Sequence, residues 1–319
     1  MNFGGLAMRT QKQVRTWDWR IGKHTNNSHR VRPELTRSRP MTVCIGAICN
    51  QRQTIVCACD RMITSGDIEF EPTHPKLALT APNRVVMYCG DAGIHMQAHY
   101  DATPNGLEAN AQLSVREFAE RYRDAMHGIY SRIAESSILS KYGLTYASFL
   151  ERQAELSEGF IEAVREELSH YYRGCSDDIA IVAGWDSSGM HLYQVGRSGV
   201  YCEDRIGFVA IGSGGFHADS QFMFEKHSPE SALSATVLLV YTAKKHAEVA
   251  PGVGTATDMY LIDLEKTLQI EREGLDRIDT IYKRTRDQVA AAKSAGNKEM
   301  DEYLHSVFVS KQPEKAGPA

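Results

Sequence analysis

A threonine, an aspartate and a lysine stand at the ends of predicted strands, where their side chains could support nucleophilic chemistry. Thr42 opens the apolar run 42–49, Asp60 follows the apolar run 54–59, and Lys76 comes sixteen residues after Asp60. A hydroxyl is a poor nucleophile unless a base takes its proton. If Thr42 were the first residue, its own α-amine could be that base, because such an amine titrates at roughly 7.7–8.0, close to neutrality. These residue types therefore fit a threonine nucleophile, on condition that its amine is free.

Each residue taken alone also has a plainer explanation. Threonine is a common strand residue because of its β-branched shape. Asp60-Arg61 could be a surface ion pair worth about 0–1 kcal/mol, and a single lysine such as Lys76 is more often exposed. Ser213, in the Gly-rich stretch 212–215, could serve a simple turn. It lacks the preceding glycine of a nucleophile elbow, and the stretch lacks the Lys-Ser/Thr of a phosphate loop.

Two further groups of residues are explained by packing. His95 and His99 are spaced i, i+4 as in a zinc protease, but Met96 stands where the catalytic glutamate would be. Cys57 and Cys59 share one strand face, but no second Cys or His pair follows at ligand spacing. The sequence therefore predicts no metal site and no cofactor.

The elements that must position the candidate residues begin with buried strands. The apolar runs 42–49 and 54–59, separated by polar residues, predict a hairpin. The segments 76–80 and 84–89 predict two more strands, which would extend the hairpin into a meander. Because both faces of these strands are largely apolar, another layer must cover them.

The remaining chain predicts helices, then strands, then helices again. Residues 91–173 show helical periodicity over most of their length. After them come predicted strands at 178–184, 190–195, 199–202 and 208–211, a helix at 232–248, a strand at 258–264, and an amphipathic tail helix or helix pair at about 274–308. Runs of strands alternating with runs of helices indicate the α+β class.

The charge distribution separates the first forty residues from the rest. Residues 1–40 carry nine Lys/Arg and two acids, a net of +7, so the remainder of a chain with net charge −4 carries −11. The acidic part argues against general nucleic-acid affinity of the folded domain. The leader 1–41 has three interpretations: a disordered arm for anions or nucleic acid, a propeptide, or untranslated sequence before a start at Met41.

Location is predicted from what the sequence lacks. No apolar run reaches the roughly 18 residues that a spanning helix needs, and no secretory signal is recognisable. The seven cysteines are an odd number and several lie in apolar runs, so we interpret them as free thiols. These features predict a cytoplasmic protein without a membrane partner.

Five short segments, in order, resemble a known family. TVCIGAIC at 42–49, CACDRMIT at 57–64, HPKLAL at 74–79, YCGDAG at 88–93 and AIGSGG at 210–215 are similar to segments of proteasome β-type subunits and the bacterial proteasome-like peptidase. These are N-terminal nucleophile hydrolases. The resemblance runs from Thr42 to about Leu264, interrupted by the long helical stretch. It implies a four-layer αββα sandwich over 42–265, with a long helical insertion (helical region about 91–173) and a C-terminal helical extension, 266–319.

The resemblance also implies roles for individual residues. Thr42 would be the nucleophile, Lys76 would lie beside its hydroxyl and lower its proton affinity, and Asp60 would pair with Lys76. Ser213 would hydrogen-bond the Thr42 amine, and the N–H of Gly90 would stabilise an oxyanion. Further supporting or substrate-binding residues would be Arg61, Thr64, Gly214 and Glu248, with Thr64 contacting an extended substrate by strand addition.

The chain departs from the family pattern in two places. Where the family has an aspartate and a serine before a late glycine, this chain has Glu248 and Pro251 in the stretch 248–252. Family propeptides usually end in glycine before the threonine, whereas Met41 stands here. Removal of Met41 as an initiator methionine would free Thr42.

The functional expectation is a threonine endopeptidase-like amide hydrolase. By resemblance it would act as a self-assembled homo-oligomeric ring on peptide or unfolded protein substrates, with an ATP-dependent unfoldase as a candidate partner. Two alternatives stay open: a catalytically inactive scaffold subunit of the same fold, and a small-amide acylase of the same superfamily.

Overall fold

The computed structural model describes residues 42–65, 68–175 and 177–309, which belong to one compact unit. The strands are β1 Cys44–Cys49, β2 Thr54–Cys59, β3 Ile63–Ser65, β4 Ile68–Phe70, β5 Leu77–Ala81, β6 Arg84–Cys89, β7 Ile179–Asp186, β8 Gly189–Gly196, β9 Gly199–Cys202, β10 Phe208–Ile211, β11 Asp258–Asp263 and β12 Thr267–Gln269. The helices are α1 Ala92–Ala102, α2 Gly106–Asn110, α3 Val115–Ala134, α4 Tyr146–Glu151, α5 Glu158–Gly174, α6 Gly215–Phe224, α7 Leu233–Ala247 and α8 Arg272–Val309. The leader 1–41 lies outside the described residues.

The strands form antiparallel sheets, and the structure is mixed α+β. One sheet has the order β10-β1-β2-β11-β12, a second has the order β5-β6-β7-β8-β9, and β3 pairs only with β4 among the described strands. The predicted β1–β2 hairpin is confirmed, with Cys44 opposite Cys59. The predicted meander is wrong, because β5 and β6 belong to the second sheet. Local apolar patterning marks a buried strand but does not say which distant strand will pair with it.

Alternate residues of β1 and β2 enter two different cores, which explains their unbroken apolar sequence. Ile48, Ile55 and Cys57 pack against side chains of the second sheet, including Val85 and Ile181. Because successive side chains on a strand point to opposite faces, the intervening residues pack against α6, α7 and the start of α8. The outer face of the second sheet packs against α1 and α3.

The predicted helical region is confirmed as a series of separate helices. A capping box of Ser114 and Glu117 starts α3, and a π-helical turn, Glu135–Leu139, follows it. Left-handed Gly143 then ends a short 3-10 turn, since glycine has no Cβ to oppose that conformation. Beyond this point α4 and α5 enclose a small core of their own, formed by Leu139, Leu144, Phe149 and Val164.

Four elements were not predicted: β3, β4, β12 and α6. The sequence of α6 shows no clear amphipathic pattern. In the structure, its Phe216 and Phe224 are 88% and 79% exposed. The tail is a single helix, α8, over the described residues up to Val309. No helix in the described ranges is long and apolar enough to span a bilayer.

Candidate functional site

Strand pairing brings four of the predicted site residues to one end of the sheets. Thr42 lies two residues before β1 and Asp60 directly follows β2, so the antiparallel hairpin places them close together. Ser213 follows β10, the other neighbour of β1. Lys76 precedes β5 of the second sheet, and its backbone carbonyl accepts a 3.3 Å hydrogen bond from the Tyr88 N–H.

The Thr42 hydroxyl lies between an ammonium and a carboxylate. Lys76 Nζ donates a 2.6 Å hydrogen bond to Thr42 Oγ1, and Thr42 Oγ1 donates to Asp60 Oδ1. Lys76 Nζ is also 3.5 Å from Asp60 Oδ1. All three residues are buried: Thr42 is 1% exposed, Lys76 is 9% exposed and Asp60 is 0% exposed. With little water between them, these charges act strongly on the hydroxyl.

Asp60 is held by the backbone as well as by Lys76. Its Oδ1 accepts from the Val43 N–H at 3.0 Å, and its Oδ2 accepts from the N–H groups of Met62 and Gly254 at 3.0 and 2.9 Å. A buried carboxylate is costly unless it is paired and hydrogen-bonded. These donors meet that requirement and fix the carboxylate toward Thr42.

The Gly-Ser-Gly segment lies against the Thr42 backbone. Ser213 Oγ accepts a 3.3 Å hydrogen bond from Thr42 N, and Gly214 N donates to Thr42 O at 3.2 Å. The φ angle of Gly212 is +91°, and a Cβ there would overlap the Thr42 carbonyl. At Gly214 a Cβ would come within 2.8 Å of the Ala247 Cβ. Gly212 therefore permits close approach to the candidate nucleophile, and Gly214 permits close packing against α7.

Gly90 stands in a left-handed conformation at the end of β6. Its φ is +104°, and a Cβ would come within 2.8 Å of the Asp178 Cα and overlap its carboxylate. Asp178 accepts from the Asp91 N–H at 2.6 Å and from the Tyr130 hydroxyl at 2.9 Å. Asp178 thus holds the turn that carries the expected oxyanion donor. Sequence analysis missed this role, although an aspartate opening an apolar strand was a visible signal.

Glu248, predicted as a supporting residue, contacts a buried lysine. Its Oε1 accepts from Lys244 Nζ at 2.6 Å and from Lys245 Nζ at 2.8 Å. Lys244 is fully buried and also donates to the carbonyls of Gly254 and Thr255 at 2.8 and 3.0 Å. Sequence analysis missed Lys244; its position four residues after Val240, on the apolar face of the predicted helix, was the signal.

Pro251, the second departure from the family pattern, contacts Ser213 through its backbone carbonyl. Ser213 Oγ lies 3.1 Å from the Pro251 carbonyl, to which it can donate. Ser213 is also 3.4 Å from the Thr42 carbonyl. Because a hydroxyl has a single proton, it can donate to one of these carbonyls at a time while accepting from Thr42 N.

Arg61 and Thr64 lie on the chain that leaves Asp60. Arg61 makes a bidentate pair with Asp258, at 2.7 Å through Nε and 2.6 Å through Nη2, and not the surface ion pair with Asp60 that was the plainer explanation of the sequence. Thr64 lies in β3 opposite Glu69. Its buried hydroxyl has no hydrogen-bond partner within the described part of the chain.

Three buried thiols near Lys76, those of Cys44, Cys59 and Cys89, have raised pKa values. Burial raises the pKa of Cys44 and Cys59, and raises the pKa of Cys89 to about 12. A thiol with such a pKa stays protonated at neutral pH and is a weak nucleophile. The hydroxyl of Thr42 is therefore the candidate nucleophile among these side chains.

His95, one of the two histidines spaced i, i+4 in the sequence, has protein partners at both ring nitrogens. His95 is buried, with its ring nitrogens 3.0 Å from the Tyr122 hydroxyl and 2.8 Å from the Cys89 carbonyl. Within 42–65, 68–175 and 177–309, no group of three or more His, Cys, Asp or Glu side chains could hold a metal ion. All seven cysteines are free, and Cys202 is the exposed one.

No protein-family model matches the chain, and no curated protein matches its sequence.

Proposed function

We propose that this protein is a threonine-type N-terminal nucleophile hydrolase that cleaves amide bonds, with peptides as its substrates. The observation that carries the proposal is the 2.6 Å hydrogen bond from Lys76 Nζ to Thr42 Oγ1. The hydroxyl also donates to Asp60, so an ammonium, a carboxylate and a hydroxyl converge at the start of a buried strand. Such an arrangement suits activation of a hydroxyl nucleophile.

The fold supports the same proposal. Two five-stranded antiparallel sheets share a core, and helices pack against both outer faces. We interpret this as the four-layer αββα sandwich of proteasome β-type subunits. In that interpretation α4 and α5, with their separate small core, are the insertion.

The proposed reaction starts when the free Thr42 amine takes the hydroxyl proton, directly or through one water. Oγ1 then attacks the substrate carbonyl carbon, and the N–H of Gly90 stabilises the resulting oxyanion. One such donor contributes about 2.7–4 kcal/mol. The protonated amine returns its proton to the leaving amine, and water then hydrolyses the acyl ester on Thr42. The Lys76 ammonium beside Oγ1 favours the deprotonated hydroxyl.

Assembly, partners and location extend the proposal by resemblance. Homo-oligomeric rings would enclose the Thr42 sites, an ATP-dependent unfoldase would deliver unfolded protein, and the ring would work in the cytoplasm. The free state of all seven cysteines supports a reducing compartment.

The decisive experiment is intact-mass measurement with N-terminal sequencing of the chain purified from its native host. We expect a mature chain that begins at Thr42 and hydrolyses peptide amides. Thr42→Ala should abolish hydrolysis, whereas Thr42→Ser should retain part of it because it keeps the hydroxyl. A stable chain beginning at Met1 or Met41, without hydrolysis, would refute the proposal. Cleavage of small amides but not peptides would move it to the acylase alternative.

One observation favours an inactive scaffold subunit as the second candidate. Where the resemblance implies a bracing serine, Pro251 offers only its carbonyl to Ser213 Oγ, at 3.1 Å. A scaffold would assemble with a blocked Thr42 amine. The same mass measurement on the assembled particle separates the two candidates. A chain that begins at Thr42 supports the hydrolase, and a chain with residues before Thr42 supports the scaffold.

A further inference from the structure

Helix α8 continues far beyond the body of the protein. Near its start, Leu275, Ile278 and Tyr282 pack into the core beneath α7, and Asp279 accepts a 2.9 Å hydrogen bond from the Tyr241 hydroxyl. Every residue from 283 to 306 is exposed. At 1.5 Å per residue, this distal segment is roughly 36 Å long.

The distal segment keeps the apolar stripe that docks the start of the helix. At 100° per residue, Val289, Met300 and Tyr303 lie within about 40° of the line through Ile278 and Tyr282. Val289, Met300 and Tyr303 are 47%, 55% and 62% exposed. An apolar stripe on an otherwise polar helix indicates a surface that a partner covers.

The charges of the distal segment change sign along its length. Residues 283–293 hold four cations and one anion, a net of +3: Lys283, Arg284, Arg286 and Lys293 against Asp287. Residues 298–302 hold one cation and three anions, a net of −2: Lys298 against Glu299, Asp301 and Glu302. If two such helices pair in the same direction, like charges lie beside each other. If they pair in opposite directions, the basic half of one helix lies beside the acidic half of the other.

Small residues occupy the middle, where two antiparallel copies would cross. Residues 290–292 are alanines, and a Cβ at Gly296 would meet nothing within 4 Å. With the crossing at Gly296, Ala292 comes opposite Met300 and Val289 opposite Tyr303. Small side chains thus face large ones, which lets two helices interdigitate.

We propose that residues 283–306 of α8 pair antiparallel with the same segment of a second copy of this chain. A two-fold interface requires one patch that complements itself, and the reversed charge halves around a small-residue centre have that property. The pairing is independent of the proposed hydrolase activity.

Engineered disulfides test the partner and the direction together. In a full-length Cys202→Ser background, Val289→Cys with Tyr303→Cys should convert most of the chain to covalent dimers on mild oxidation. The two positions are roughly 21 Å apart within one helix, so a link must join two chains. Each single variant alone should give little dimer, and a mixture of the two singles should give the mixed dimer.

A matched control uses the same register on the opposite side of the helix. Ser294→Cys and Lys298→Cys come to the same level along an antiparallel pair that crosses at Gly296, but they lie on the side of each helix away from the stripe, so they should give little dimer. Equal linking by this control, or by Val289→Cys alone, would overturn the antiparallel pairing. If disulfide-linked dimers form only after residues 1–40 are removed, the leader is what covers the stripe in the full-length chain. That result would also overturn the proposal. Absence of dimer in every variant would also overturn it.

Discussion

Lys244 reaches Asp60 through a single residue: its Nζ donates at 2.8 Å to the Gly254 carbonyl, and the Gly254 N–H donates at 2.9 Å to Asp60 Oδ2. Lys244 belongs to α7, which packs under the first sheet, whereas Asp60 contacts the candidate nucleophile. The loop between α7 and β11 is therefore part of the support for Thr42, and a buried ammonium holds it.

Lys244→Met should destabilise the protein and weaken hydrolysis together. Methionine keeps the length of the side chain but leaves buried carbonyls without a donor, at a cost of about 1–3 kcal/mol. We expect this loss in the free energy of unfolding from denaturant titration, with a fall in kcat/KM. The control is Lys245→Met, since Lys245 pairs with the same Glu248 at 2.8 Å but makes no hydrogen bond to Gly254 within the described part of the chain. Equal effects of the two changes would contradict a role through Gly254.

Lys76→Met should slow hydrolysis strongly while the fold survives. The three backbone N–H donors to Asp60 remain, so the carboxylate keeps most of its partners. Loss of the ammonium beside Thr42 Oγ1 should lower kcat/KM by about 100-fold or more, the scale for removing one electrostatic stabiliser. Steady-state kinetics on a peptide amide measures this, with exposed Lys266→Met as the control. Unchanged kinetics in Lys76→Met would refute the assigned chemistry.

Gly212→Ala should harm the site more than a matched glycine change elsewhere. Gly212 and Gly106 have φ angles of +91° and +80°, so alanine pays a similar backbone penalty of about 1–2 kcal/mol at either position. At Gly106 the new Cβ meets nothing within 4 Å, whereas at Gly212 it overlaps the Thr42 carbonyl. We expect both variants to lose stability and only Gly212→Ala to lose most of its kcat/KM. Similar activity in the two variants would show that the contact with Thr42 is unimportant.

His95 should make the protein sensitive to acid. Burial lowers the pKa of His95 to about 4, against about 6.5 for an ordinary histidine. Between these values the unfolded chain binds a proton that the folded chain does not, so the free energy of unfolding falls as pH falls from 6.5 to 4. At about 1.36 kcal/mol per pH unit, the loss approaches roughly 3 kcal/mol.

Comparison of variants isolates this histidine. Burial raises the pKa of Asp219 to about 6, which opposes the trend over part of the same range, so the wild-type slope alone is not diagnostic. The wild-type curve minus the His95→Gln curve should show the acid loss, while exposed His217→Gln should follow the wild type. Parallel curves for wild type and His95→Gln between pH 4 and 6.5 would contradict the prediction.

Local sequence patterns were enough to predict most strands and the main helical regions. Unbroken apolar runs marked β1, β2, β6 and β7 to within two residues, because strands buried on both faces admit few polar residues. The order and spacing of short motifs, through a family resemblance, also suggested that Thr42, Asp60, Lys76 and Ser213 belong together.

The way in which those elements combine became visible in the three-dimensional structure. It placed β1 between β2 and β10 and divided the two early hairpins between two sheets. It also connected Lys244 to Asp60 through Gly254, and Asp178 to the turn at Gly90. These partners lie from roughly ninety to two hundred residues apart, a separation at which local periodicity carries no information. Which distant groups meet was settled by the packing of two sheets around one core, because buried polar groups must then find their hydrogen-bond partners there.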